Sequence, residues 1–85
     1  MDKDELLEYL INCEALFADG FGDALVGFAV RSGCHVALYD QEKCIQILMD
    51  RDGLLYDDAV EFFEFNVIGS WVGEKTPIFA SLITQ

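Results

Sequence analysis

Positive charge is scarce in this chain. Its 85 residues include five Lys and Arg against sixteen Asp and Glu, a formal net charge of −11. Neutralising phosphates takes clustered Lys and Arg, so no direct contact with nucleic acid is expected. The same deficit argues against docking on an anionic membrane surface. No apolar run approaches the ~20 residues needed to span a bilayer. There is one proline, Pro77, and no Ser/Gly-rich tract or internal repeat, so nothing reads as a linker. The opening Met1-Asp2-Lys3-Asp4-Glu5 is acidic, the opposite of a secretory leader. Three cysteines, Cys13, Cys34 and Cys44, are odd in number and widely spaced, which is not a disulfide framework. Each lies beside apolar residues and reads as a buried reduced thiol, placing the expected location in the cytoplasm.

Apolar residues are plentiful. They make up 53% of the chain, and 13% of the residues are aromatic. A chain of this composition folds despite its charge. The length fits a single globular domain over 1–85. A core that small leaves net stability at a few kcal/mol, a situation often relieved by an oligomer or a partner.

Hydrophobic spacing sets out six elements. Asp2 or Asp4 caps a first helix whose apolar face is Leu6, Leu7, Tyr9, Leu10, Cys13 and Phe17. Asp19-Gly20-Phe21-Gly22-Asp23 breaks it. Strands over 24–30 and 34–39 flank the turn Arg31-Ser32-Gly33 and form an antiparallel hairpin. Asp40 caps a helix over 41–51, with Cys44, Ile45, Leu48 and Met49 as its stripe and Asp52-Gly53 as its stop. A further helix spans 57–70, with Val60, Phe63, Val67 and Trp71 toward the core. Asp57, Asp58, Glu61 and Glu64 cluster on its other side, and Phe65, Ile68 and Val72 project among these acids. Another element covers those three, or they form an exposed patch. A turn over 72–77 leads to a last strand over 78–83. The expected fold is α+β, in the order α-β-β-α-α-β, with a three-stranded antiparallel sheet packed against helices.

Chemical motifs are few. Asp50-Arg51-Asp52-Gly53 resembles part of a calcium loop, but aligning Gly53 to loop position 6 puts Leu48 at position 1 and Ala59 at position 12. A helix stop explains it. Cys34, His35 and Cys44 lack a tight Cys pair and a fourth zinc ligand, so no metal is expected and the set reads as core cysteines and a surface histidine. His35 is the only histidine, and none of Ser32, Ser70 and Ser81 lies in a nucleophile elbow. No phosphate-cradling Gly-rich loop is present. These readings give no enzyme, no cofactor and no catalytic residues. Asn66, on the flank of the core stripe, reads as an interior residue that ties its helix to backbone in the nearby strand or turn, with ligand contact as the alternative.

Glu61-Phe62-Phe63-Glu64-Phe65-Asn66-Val67-Ile68-Gly69-Ser70-Trp71-Val72-Gly73-Glu74-Lys75-Thr76-Pro77-Ile78-Phe79 resembles the C-terminal signature of a family of small bacterial and phage or prophage proteins. The likeness continues upstream through Ala18-Asp19-Gly20-Phe21, Val36-Ala37-Leu38-Tyr39-Asp40 and Ile47-Leu48-Met49-Asp50-Arg51-Asp52-Gly53. It implies a mobile-element context and carries over no catalytic or binding residues.

Three functions remain in view. The first is a non-enzymatic acidic module that docks on a basic, nucleic-acid-binding host protein, in the manner of anti-CRISPR or anti-restriction inhibitors. Its contact residues would be Asp57, Asp58, Glu61, Glu64, Phe65 and Ile68. The second is a self-assembling homodimer built on Phe65 and Ile68. The third, a small enzyme or ligand-binding domain, requires a pocket of roughly 300 Å³ or more.

Overall fold

A computed structural model describes residues 1–83. Helix α1 (Lys3–Asn12) opens on a capping box: Asp2 accepts from the Glu5 N–H at 2.9 Å, while the Glu5 side chain accepts from the Asp2 N–H at 3.4 Å. A short 3₁₀ turn (Gly22–Ala24) leads into strand β1 (Leu25–Arg31), which turns back into β2 (Cys34–Asp40). The connection is Ser32-Gly33, with φ of 51° and 78°. Positive φ at both positions belongs to a type I′ turn, whose twist matches the strands it joins.

Helix α2 (Gln41–Asp52) follows at once, capped by Asp40, which accepts from the Glu42 and Lys43 N–H groups, and ended by left-handed Gly53. Both ends match the sequence expectation. Helix α3 (Tyr56–Phe63) continues into a π-helical turn (Glu64–Ile68), and the last strand is β3 (Ile78–Ala80).

The α+β class and the element order stand as expected, with a sheet of order β1-β2-β3. One correction concerns direction. β1 and β2 are antiparallel, but β3 runs parallel to β2, pairing Leu38 with Ile78 and Tyr39 with Phe79. The sheet is mixed, not antiparallel throughout. Two helices separate β2 from β3, and a long crossover is what parallel neighbours require. The strand is also shorter than the expected 78–83.

The core forms where the helices meet the sheet. Leu6 and Leu10 of α1, Cys44, Ile45 and Leu48 of α2, and Ala59 and Phe63 of α3 are buried with Ala37 and Tyr39 of β2. Phe79 stacks on Tyr39 with ring centroids 5.3 Å apart and meets Phe63 edge-on at 5.2 Å. Two side chains of the expected core are exposed, and several others are only half-buried. Helix α1 ends at Asn12, so Phe17 lies beyond it and is exposed, and Trp71, past the π-turn, is 61% exposed. Cys13 and Cys34 are half-buried, which leaves Cys44 as the only fully buried thiol.

Among the described residues, no helix is long and apolar enough to cross a membrane.

Candidate functional site

The acids of α3 follow from its amphipathic register. At 100° per residue, Asp57, Asp58 and Glu61 lie opposite Ala59 and Phe63 on α3, and Glu64, Phe65 and Ile68 belong to the π-turn that follows. The structure buries Ala59 and Phe63 and exposes Asp57, Asp58, Glu61, Glu64, Phe65 and Ile68. Of the two outcomes open for the second apolar set, the exposed patch is the one adopted. Phe65 is 76% exposed, Ile68 47% and Val72 62%. Among the described residues, no other element buries them.

These acids lack basic neighbours. The one ion pair among the described residues joins Arg51 to Asp52 at 3.2 Å. Three of the other four bases are engaged with backbone carbonyls. Lys3 donates to Gly22 O, Lys75 to Cys13 O at 2.6 Å, and Arg31 to Thr76 O at 2.8 Å. Arg31 also lies over the Trp71 ring, 4.7 Å from its centroid. Neighbours at i+3 and i+4 on a helix are ~5–6 Å apart, so the Asp57–Glu64 strip repels itself and concentrates negative potential.

A cavity of about 440 Å³ lies between the segments 16–21 and 66–79. Phe17, Phe21, Val67, Val72, Pro77 and Phe79 form its apolar walls. Sequence reasoning missed it, because its two sides come from segments about fifty residues apart. The chain holds those segments together through the Leu16 N–H bond to Lys75 O and the Lys75–Cys13 contact. Thr76 is buried and braces the wall: its hydroxyl donates to Gly73 O at 2.6 Å and accepts from the Val72 N–H at 2.9 Å. The Thr76-Pro77 pair after a Gly-containing turn was the available signal.

The cavity exceeds the size a ligand site needs. Its only ionisable lining residue is Asp19. Asn66 and Ser70 also line it, but Ser70 donates to Asn66 O at 3.0 Å and no histidine is adjacent. Asn66 is exposed, not interior, and its amide donates to Phe62 O of its own helix at 3.2 Å. The histidine is elsewhere. His35 is half-buried and bonded to the Tyr9 hydroxyl, in a ring cluster with Phe28. No group of three or more His, Cys, Asp and Glu side chains among the described residues is placed to hold a metal ion.

Comparison of the chain with protein-family models, with curated proteins and with solved structures gives no match.

Proposed function

We propose that this chain is a non-enzymatic protein-binding module that docks on a basic, nucleic-acid-binding protein and occludes its phosphate-binding surface. The observation that carries the reading is the unpaired acidic strip Asp57, Asp58, Glu61 and Glu64, with exposed Phe65 and Ile68 in the π-turn that follows it. Charge gives a fast, steered encounter, and desolvated aromatic anchors give affinity. The cavity between segments 16–21 and 66–79 has room for an apolar side chain of the partner. The mobile-element resemblance of the Glu61–Phe79 segment supports an inhibitor acting in the cytoplasm of a bacterial host, against a CRISPR effector or restriction enzyme.

The test compares capture from bacterial lysate by the wild-type protein and by the triple variant Asp58→Lys, Glu61→Lys, Glu64→Lys. Wild type should retain a basic protein that ~1 M salt releases, since exposed charge pairs are screened at that strength. Purified, that partner should lose nucleic-acid binding when the acidic protein is added. The variant should bind it about a hundredfold more weakly, through lost pairs and new repulsion. Equal binding by a folded triple variant overturns the reading.

A further inference from the structure

The surface with the opposite character is the outer edge of β1. It is the first strand of the sheet, and β2 is its only neighbour. Among the described residues, no hydrogen bond outside the β1–β2 ladder reaches the backbone of residues 26–31. The turn fixes which groups face outward. A two-residue type I′ loop closes on a hydrogen-bonded pair, here Arg31 and Cys34. Pairs then alternate, so Arg31 and Ala29 direct their N–H and C=O groups to β2, while Val30 and Phe28 direct theirs to the free edge.

Such an edge invites another strand, and proteins usually blunt it with Lys, Pro or a bulge. β1 has neither Lys nor Pro, and its one irregularity sits at its start, between Leu25 and Gly27. Its side chains alternate, leaving Val26, Phe28 and Val30 45%, 40% and 60% exposed. The charge map selects the occupant. Residues 24–39 contain no Asp or Glu, in a chain with sixteen. Two molecules of net charge −11 repel wherever their acids meet, and this hairpin is the stretch where their backbones can approach without that contact.

We propose that β1 pairs with β1 of a second copy of this chain, antiparallel about a two-fold axis at Phe28, joining two three-stranded sheets into one of six. In this register Phe28 opposes its counterpart, and Val26 of each copy opposes Val30 of the other. The outward N–H and C=O groups of Phe28 meet those of the partner's Phe28, as an isologous contact requires. Apolar cross-strand pairs of this kind stabilise a sheet, and the second copy enlarges a core that is small for one chain. The contact is separate from the acidic strip, so the dimer presents two such strips.

Sedimentation and light scattering from micromolar to millimolar protein test the proposal. Wild type should be a dimer. The variant Val26→Lys, Val30→Lys should be a monomer with an unchanged circular dichroism spectrum. In this register the lysine placed at 26 faces the one placed at 30 of the other copy, so like charges meet across the seam and oppose this pairing specifically. The variant Phe65→Ser, Ile68→Ser should remain a dimer. Wild type that stays monomeric throughout overturns the proposal. So does a dimer that survives the paired lysines or that dissolves on Phe65→Ser, Ile68→Ser. Hydrogen exchange on wild type gives a readout that needs no variant. The Phe28 and Val30 amides should slow about tenfold or more as dimer forms, and exchange independent of concentration overturns the pairing.

Discussion

Cys44 has no exposed surface in the contact between α2 and the sheet. Burial, with a smaller push from the Asp40 carboxylate, raises its thiol from 9.0 to about 12. The folded protein therefore holds a proton that the unfolded chain releases from about pH 9. This contribution to stability is complete below that pH and declines as pH climbs toward 12. Urea midpoints should fall between about pH 8 and pH 11, and Cys44→Ala should flatten the decline. Disulfide reagents should label Cys13 and Cys34 before Cys44. Tyr39 adds a slope of the same sign, since burial raises its phenol while the bond from the Ala18 N–H opposes the rise. That 2.9 Å bond ties the 13–19 loop to β2. Tyr39→Phe should cost about 1–3 kcal/mol in chemical denaturation by leaving the Ala18 N–H without its partner.

At the scale of elements, the π-turn after α3 sets where Phe65 and Ile68 project. It closes with the Gly69 N–H on Glu64 O at 3.2 Å, five residues back. A Cβ on Gly69 would stand 2.9 Å from Phe65 O, a backbone atom that cannot swing aside. Gly69→Ala should cost about 1–3 kcal/mol, read from urea unfolding, and should weaken partner binding by turning Phe65 away from the acids. The elements differ in how far the sequence exposes them. Asp40 and Gly53 bracket α2 by side-chain chemistry at fixed positions, and the 3.6-residue period put Asp57, Asp58, Glu61 and Glu64 on one face. The period also placed Trp71 in the core, because a regular helix was carried through 57–70. The wider π-turn breaks that phase, and no residue type announces such a turn. The direction of β3 was hidden for a related reason: three residues, Ile78–Ala80, hold no information about which way a neighbour runs.

For the molecule as a whole, composition gives the net charge but not how it is distributed. Nothing in the sequence says that Lys3, Arg31 and Lys75 bond to carbonyls while the acids of α3 stay unpaired. The cavity was equally hidden, since its walls meet only after folding. An unbalanced charge of this size destabilises the compact state and is screened by salt. Thermal midpoints should rise by several degrees between about 20 mM and 500 mM sodium chloride, where a protein held by ion pairs would lose stability. A flat or falling response would mean that the acids do not strain the fold.

The clamp between Lys75 and Cys13 spans 62 positions of the chain. It ties the order of folding to the order of synthesis. The 13–19 loop leaves the ribosome early, yet the residues that pin it arrive with the last strand, and β2 gains its second neighbour at the same moment. Closing so long a loop is slow and comes late. Until then the nascent chain carries an unfinished sheet with β2 open on one side, and a chain cut before residue 75 would be arrested there.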